Sequence, residues 1–160
     1  QSADKVIFPG VGEARSAMTY LKERRLDEVI KNLTQPVLGI CIGQQLLCRH
    51  SEEGDVDCLG IFDVEVKRFD NESTNFKIPH MGWNTIELSS QDFIPHALNN
   101  SYVYYVHSYY VPVNDATIAT TDYITKFSAA LHSNNFYSTQ FHPEKSGDVG
   151  EQILRSFIEL

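Results

Sequence analysis

One short apolar run, Val37-Leu38-Gly39-Ile40, constrains the fold more than any other part of this chain. A continuous apolar run of this length, with Pro36 before it, is typical of a strand buried on both faces of a parallel sheet. Cys41 follows directly, and a helical pattern then runs from Ile42 through Leu47. The run is therefore predicted to be the strand of a strand–helix unit in a sheet that helices cover.

The rest of the chain predicts helices near both ends and strands between them. Apolar residues spaced for one helix face predict a helix over about 13–24, and a shorter helix is expected over 27–33. Alternation at 62–66 and the aromatic, β-branched stretch 102–111 predict strands in the region of roughly 60–132. Strands are also predicted at 5–8 and 136–141, and a closing amphipathic helix has Val149, Ile153 and Phe157 on one face.

These elements predict an α/β fold, a mostly parallel sheet flanked by helices with an antiparallel β insertion. The whole chain, residues 1–160, is expected to form one domain. Active sites of such sheets lie at the carboxyl ends of the strands. The chemistry is therefore expected near Gly12, Cys41 and His142.

Composition excludes some functional classes. The net charge is −8 without a basic run, which argues against a nucleic-acid partner. No stretch approaches the roughly 20 apolar residues of a membrane span, and we expect no signal peptide before the first strand. The 3 cysteines lack CxxC spacing, so we expect neither disulfides nor structural zinc, and a cytoplasmic location.

The sequence Gly39-Ile40-Cys41-Ile42-Gly43 is a G-x-C-x-G on a strand about to become a helix. A nucleophile elbow has this context, because small residues on both sides let a strained turn expose the nucleophile. A position at a helix start also favours the reactive thiolate. Taken alone, the motif leaves open a buried structural cysteine in a tight junction.

His142 and Glu144 are candidates for the base and for its orienting carboxylate. Positions i and i+2 of an extended segment point the same way, so Glu144 can hold one imidazole nitrogen while the other faces Cys41. A histidine satisfied locally is the competing interpretation. The position of His142 at the end of a predicted strand, with a carboxylate two residues on, favours catalysis.

The turn Pro9-Gly10-Val11-Gly12, also directly after a strand, is a candidate oxyanion hole. Acyl transfer needs two N–H donors, and a glycine-flanked turn presents backbone N–H groups without obstruction. We expect the N–H groups of Val11 and Ile42 to be these donors. An ordinary strand-ending turn would be the preferred interpretation if the other two motifs were absent.

The three motifs together, in this order, resemble the class I (triad-type) glutamine amidotransferases. Those enzymes hydrolyse the side-chain amide of glutamine through a glutamyl thioester and pass the ammonia to a synthase domain. The segment Pro79-His80-Met81-Gly82-Trp83-Asn84 resembles the signature of the glutaminase subunits of imidazole glycerol phosphate synthases. The stretches 105–109 and 142–147 point the same way.

The resemblance implies a set of site residues. Cys41 is implied as nucleophile, His142 as general base and acid, and Glu144 as orienting carboxylate. Gln45, Gly12, Ser108 and Tyr109 are implied to hold the glutamine. Met81, Trp83 and Lys145 are implied to face a partner, with loop structure and core packing as the alternative. The chain departs from the family at Glu13, where many relatives have His, and at Gln44, where Met or His is more usual.

The resemblance also implies a partner: a cyclase subunit with a (β/α)8 barrel, which forms a heterodimer with the glutaminase and uses its ammonia in histidine biosynthesis. No metal or organic cofactor is implied. Two other functions stay open, a different class I amidotransferase (for anthranilate, purine or pyridoxal phosphate synthesis) and a catalytically impaired subunit that only docks.

Family members begin with a strand, a helix and a second strand before the position of Asp4. That unit, roughly 30 or more residues by the size of a βαβ motif, has no counterpart here, so the chain is expected to be N-terminally truncated. An apolar edge strand would then invite oligomerisation. We expect the full set of catalytic residue types with impaired solubility or altered assembly.

Overall fold

Helices and strands alternate at the two ends of the chain, and strands fill the middle, as predicted. The computed structural model describes residues 2–10 and 12–160. Its strands are β1 (Val6–Phe8), β2 (Val37–Ile40), β3 (Cys48–Ser51), β4 (Val56–Asp57), β5 (Phe62–Arg68), β6 (His80–Thr85), β7 (Glu87–Leu88), β8 (Tyr102–His107), β9 (Tyr109–Tyr110), β10 (Thr117–Tyr123), β11 (Thr125–Ser133) and β12 (Phe136–Thr139). Its α-helices are α1 (Ala14–Glu23), α2 (Leu26–Lys31), α3 (Ile42–Leu47) and α4 (Gly147–Ile158).

The main sheet has the strand order β1-β2-β12-β11-β10-β7. β2 pairs in parallel with β1 and β12, and the remaining pairs are antiparallel. The α/β fold with an antiparallel insertion is confirmed, and among the described residues the parallel pairs of this sheet are those made by β2. The predicted chemistry therefore lies in the parallel half of a mixed sheet.

The antiparallel insertion builds two smaller sheets beside the main one. Strands β4, β3, β5 and β9 form a sheet in that order, and β6 pairs with β8 over six residues. The β6–β8 pair carries the segment 79–84 on one strand and the stretch 105–109 at the end of the other. These two sequence motifs, which are separate in the chain, thereby become neighbours.

β2 separates two hydrophobic clusters. Its side chains alternate between the two faces of the sheet, so Leu38 and Ile40 join the cluster that contains Ile153 and Phe157 of α4. Val37 joins the other cluster, with Met18 and further residues of α1 and α3. All four residues of β2 are buried, which confirms the prediction of a strand covered on both faces.

Glu13 gives α1 its start. Its carboxylate accepts hydrogen bonds from the backbone N–H groups of Arg15 and Ser16, both at 3.0 Å. These are donors that the first turn of a helix leaves without intrahelical partners. The glutamate that departs from the family pattern is therefore a helix cap.

Among the described residues, no helix is both long and apolar enough to cross a lipid bilayer.

Candidate active site

Cys41 occupies a strained turn between β2 and α3. Its backbone angles are φ 55° and ψ −110°, in the left-handed half of φ space that residues with a Cβ rarely enter. Such conformations persist only where the surroundings impose them, and they cluster at functional sites. The turn joins strand to helix without a linker and brings Cys41 to the carboxyl end of the sheet, as expected for a nucleophile elbow.

Glycines make this turn sterically feasible. A Cβ on Gly39 would lie 2.8 Å from the Leu47 side chain and 2.9 Å from the Gly43 carbonyl oxygen. A Cβ on Gly43 would collide with the backbone oxygen of Phe8, and one on Gly10 with the side chain of Ile42. The predicted need for small residues two positions before and after Cys41 is confirmed.

The register between β2 and β12 sets what lies beside Cys41. Thr139 is paired with Ile40, and the Cys41 N–H donates to the Thr139 carbonyl at 2.8 Å. Gln140 is therefore level with Cys41, and His142 lies two residues further along the same chain direction. The parallel pairing thus brings the carboxyl ends of both strands, and the predicted nucleophile and base, to one edge of the sheet.

Glu144 orients the imidazole of His142. The Nδ1–H of His142 donates to Glu144 Oε1 at 2.6 Å, which leaves Nε2 with a free lone pair. The backbone of His142 is also fixed, because its N–H donates to Tyr104 O at 2.9 Å and its carbonyl accepts from Ser146 Oγ at 2.6 Å. His142 is buried, and the Glu144 side chain is half-exposed.

The Cys41 sulfur contacts Val106 and Gln140 rather than His142. The thiol donates to the Val106 carbonyl at 3.9 Å, and Gln140 Nε2 donates to the sulfur at 3.8 Å. Burial raises the pKa of Cys41 to about 11, against the opposing hydrogen bond from the Ile42 N–H. The cysteine is therefore a protonated thiol at neutral pH in this state.

A cavity of about 280 Å³ opens beside Cys41. The four residues expected to hold a substrate all line it, together with Ile42: Gly12, Gln45, Ser108 and Tyr109. His142 and Glu144 line a second cavity of about 320 Å³, with Pro9 and Gly10. Val11, the other expected oxyanion donor, lies outside the described residues.

Glu53 lines the substrate-side cavity and was not anticipated. Its Oε2 accepts the backbone N–H of Ala14 at 2.9 Å, and burial raises the pKa of its carboxyl. Glu53 lies between β3 and β4 in a segment that carries no motif. No sequence pattern identifies Glu53, because the hairpin of β3 and β4 comes next to the start of α1 only in the folded structure.

Gln45 and Gln140 form a second unanticipated arrangement. The Gln45 amide nitrogen donates to the Tyr109 carbonyl at 3.0 Å and to Gln140 Oε1 at 2.9 Å. Both of its N–H bonds are thereby used inside the protein. Among the described residues its Oε1 accepts no side-chain or backbone hydrogen bond, so this oxygen is available to a ligand in the cavity.

Two buried histidines of the β6–β8 pair extend this network. His107 Nδ1 donates to the Tyr109 carbonyl at 2.7 Å, and His80 Nδ1 donates to His107 Nε2 at 2.9 Å. Burial lowers the pKa of His107 to about 3 and that of His80 to about 4. Both imidazoles are therefore neutral, and each nitrogen has one defined role as donor or acceptor.

The residues expected to face a partner are exposed: Met81 and Trp83 lie on β6, and Lys145 ends the short 3₁₀ turn after His142. Met81 is 62% exposed and Trp83 56% exposed. Trp83 packs edge-on against Tyr104 at 5.9 Å between ring centroids, and Lys145 Nζ lies 6.0 Å from the Tyr104 ring. We call these four residues the β6–β8 surface.

No metal centre is evident in the part of the chain that the structure describes, since no three His, Cys, Asp or Glu side chains are grouped to hold an ion. All three cysteines are unpaired, and Cys48 and Cys58 are buried.

Residues 2–160 match the model of the family "Glutamine amidotransferase class-I". The chain is 63% identical to the imidazole glycerol phosphate synthase subunit HisH of Bacteroides thetaiotaomicron, over 100% of this chain and 82% of that protein. It is 46% identical to the protein of the same name from Idiomarina loihiensis, over 100% of this chain and 80% of that protein.

Solved structures with low sequence identity share the fold. A structure described as a glutamine amidotransferase superposes with a TM-score of 0.69 at 15% identity, over 99% of this chain and 79% of that one. A glutamine amidotransferase from Thermotoga maritima gives 0.65 at 19% identity, over 98% of this chain and 63% of that one.

Proposed function

Because this chain belongs to the class I glutamine amidotransferase family, we propose that it hydrolyses glutamine to glutamate and ammonia in the role of the glutaminase subunit of imidazole glycerol phosphate synthase. The observation that carries the proposal is the arrangement of Cys41 on a strained elbow, with the His142–Glu144 pair at the end of the neighbouring strand. Relatives of that name at 46–63% identity over the whole chain support the assignment to histidine biosynthesis.

Glutamine binds in the cavity beside Cys41. The Gln45 Oε1, which accepts no hydrogen bond from the described residues, accepts an N–H of the substrate. The Glu53 carboxylate lines the same cavity and suits the α-ammonium group, because a nearby carboxylate favours a cation. Gly12, Ser108 and Tyr109 complete the wall of the cavity.

The reaction proceeds by nucleophilic catalysis. His142 Nε2 takes the thiol proton as Cys41 Sγ attacks the amide carbon, and Glu144 stabilises the imidazolium that forms. The oxyanion is stabilised by the N–H of Ile42 and, as the second donor, that of Val11. His142 then protonates the leaving ammonia, and water hydrolyses the thioester by the same steps. Backbone and side-chain groups supply all of this chemistry without a cofactor.

Cys41 is not in its reactive thiolate form in this structure. A thiol with a pKa of about 11 is almost fully protonated at pH 7, and it does not contact His142 in this state. Catalytic hydrogen bonds of this kind often tighten only when substrate or partner is bound. We therefore expect the glutaminase to depend on a partner for its rate.

The partner is a cyclase subunit with a (β/α)8 barrel, bound as a heterodimer through the β6–β8 surface. That surface adjoins the site, because Lys145 follows Glu144 and the Tyr104 carbonyl accepts from the His142 N–H, and it exposes Met81 and Trp83. Ammonia passes to the cyclase inside the complex, since ammonium formed in water is not a nucleophile. The three unpaired cysteines fit a reducing cytoplasm.

The test is glutamate release from glutamine, with and without the cyclase and its nucleotide ligand. We expect little release by the chain alone, at least tenfold stimulation by the pair, and loss of nearly all activity in Cys41→Ser. Gln44→Met serves as a control, because Gln44 is buried beside the site without lining its cavity.

Stimulation by the cyclase establishes both the activity and the partner. Glutamate release without stimulation supports a different class I amidotransferase. If neither condition yields glutamate while circular dichroism shows a folded protein, the chain is a docking subunit and the proposed activity is wrong.

A further inference from the structure

We propose that Gln140 is a further catalytic residue, whose side-chain amide donates a hydrogen bond to the Cys41 thiolate. The inference rests on the proposed function only for the identity of Cys41 as the nucleophile. Gln140 Nε2 lies 3.8 Å from Cys41 Sγ, within hydrogen-bonding range of a large sulfur atom. Gln140 is fully buried, so no water competes for this donor.

The surrounding contacts fix which end of the Gln140 amide faces the sulfur. A backbone carbonyl only accepts hydrogen bonds, so the Tyr109 oxygen must face the amino end of the Gln45 amide, at 3.0 Å. The second N–H of Gln45 is then directed at Gln140 Oε1 at 2.9 Å. With its oxygen so engaged, Gln140 can present only its amino group to Cys41.

The hydrogen bonds of His107 and His80, on the other side of the Tyr109 carbonyl, also have a fixed donor and a fixed acceptor. The Tyr109 carbonyl also accepts from His107 Nδ1 at 2.7 Å, which leaves His107 Nε2 as the acceptor for His80 Nδ1. The Tyr109 carbonyl, which orients the Gln45 amide, is thus itself fixed by His107, and His107 is fixed by His80. Reversing the Gln140 amide would turn its amino group towards that of Gln45 and leave two buried donors facing each other without an acceptor.

The hydrogen bond from Gln140 Nε2 matters because Cys41 must ionise in a largely buried environment, which disfavours the thiolate. Burial is the largest influence on the pKa of Cys41 and raises it, whereas hydrogen bonds from the Ile42 N–H and, to a smaller extent at this distance, from Gln140 lower it. Hydrogen bonds to charged groups contribute more than neutral ones. Gln140 therefore acts selectively on the thiolate, which is the form that attacks.

The test measures thiolate character without glutamine, as the rate of Cys41 alkylation by iodoacetamide between pH 7.5 and 9.5, with the labelled peptide identified by mass spectrometry. Gln140→Met keeps the length of the side chain and removes the donor. We expect its rate to fall about tenfold at each pH, equivalent to about 1.4 kcal/mol. Gln140→Glu retains an acceptor for Gln45 and, as a carboxylate, lowers the rate further.

Gln44→Met is the matched control, because Gln44 is also fully buried and donates to Ser128 and accepts from Ser138 rather than contacting the sulfur. Its alkylation rate should equal that of the wild type. The larger reagent N-ethylmaleimide separates thiolate formation from access, since loss of the donor slows both reagents by the same factor.

Unchanged alkylation in folded Gln140→Glu or Gln140→Met overturns the proposal, as does an equal slowing in Gln44→Met. If Gln140→Met unfolds, the isosteric Gln140→Glu decides the question. A wild-type chain that hydrolyses no glutamine but shows the expected order of rates would contradict the proposed function alone.

Discussion

Cys41 combines a strained backbone with a thiol that burial keeps protonated. Its φ of 55° is imposed by the packing of Gly39 and Gly43 against neighbouring elements. The sulfur contacts Val106 and Gln140 instead of the imidazole. Cys41 is thus a protonated thiol without a hydrogen bond to His142, and we expect the proposed nucleophile and base to meet only when substrate or partner is bound.

Substituting Gly43 by alanine should be severely destabilising, because the new Cβ would meet the backbone oxygen of Phe8. Backbone atoms cannot rotate away, so β1 and α3 must separate. Overpacking of this kind costs about 1–3 kcal/mol, and we expect the free energy of unfolding in urea to fall by at least the upper part of that range.

Gly60→Ala is the control for Gly43→Ala, since a Cβ at Gly60 meets nothing within 4 Å although its φ is 70°. We expect it to cost only the strain of that left-handed conformation, about 1–2 kcal/mol. If Gly43→Ala and Gly60→Ala unfolded at the same urea concentration, the contact between Gly43 and the Phe8 backbone would not be tight.

The sequence predicts part of this site because the relevant groups are close in the chain. His142 and Glu144 are two residues apart in an extended segment, and their contact at 2.6 Å agrees with that spacing. Glu53 and Gln140 were missed for different reasons. Glu53 depends on a hairpin that no pattern predicts, whereas Gln140 follows from the strand register once β2 and β12 are known to be parallel neighbours.

At the scale of elements, the β6–β8 pair buries two histidines without charge. His80 stacks on Tyr123 at 3.9 Å and on Tyr105 at 4.7 Å between ring centroids. The pKa of each histidine is lowered by burial, to about 4 for His80 and about 3 for His107. Protonation of either imidazole would convert its accepting nitrogen into a donor and so break a hydrogen bond that this nitrogen now accepts.

Acid should therefore destabilise the fold through this pair. Below about pH 6.5 the unfolded chain binds a proton at each histidine, and the folded chain does not until the lowered pKa is reached. The free energy of unfolding should fall with decreasing pH by about 1.4 kcal/mol per pH unit for each histidine. Urea melts at pH 7, 6, 5 and 4.5 measure this slope.

His80→Asn tests the origin of the slope, because the asparagine amide still donates towards His107 while one titrating group is removed. The variant should lose the His80 share of the pH dependence. A slope identical to that of the wild type would assign acid sensitivity to other groups.

The sequence patterns predicted elements that carry an apolar or alternating run, and they missed two strands of two residues. The helix expected over 13–24 and the strands at 37–40 and 62–66 correspond to α1, β2 and β5. Strands β4 and β7, of two residues each, carry too few positions for a period to be recognised. They form because β4 pairs with β3 and β7 pairs with β10. These pairings depend on the tertiary structure and leave no pattern in the local sequence.

At the scale of the whole molecule, the β6–β8 surface, which we propose as the partner interface, is connected to the interior network of the site. Trp83 and Met81 are exposed on β6, while His80 on the same strand connects inward to Tyr109. Successive strand residues face opposite sides, so one strand meets both the partner and the interior network.

Trp83→Ala should weaken the proposed cyclase complex without loosening the fold. Exposed tryptophans at interface centres often contribute about 2 kcal/mol or more, so we expect the dissociation constant from calorimetry to rise at least about tenfold. The melting temperature should stay within about 2 °C, because the side chain is already 56% exposed.

Ile158→Ala, which removes a 60% exposed side chain from α4, is the control and should leave the affinity unchanged. An unaltered dissociation constant in Trp83→Ala would move the interface away from β6 and β8.

The pairing of β2 with β12 has a consequence for synthesis on the ribosome. Cys41 and Gln140 are neighbours in space but 99 residues apart in sequence, and Val37 pairs with Phe136 across the same join. A nascent chain that has exposed its cysteine still lacks the strand that brings histidine and carboxylate to it. The proposed reactive centre can therefore form only after the segment 136–144 has been synthesised, so that a chain that stops before this segment cannot release ammonia.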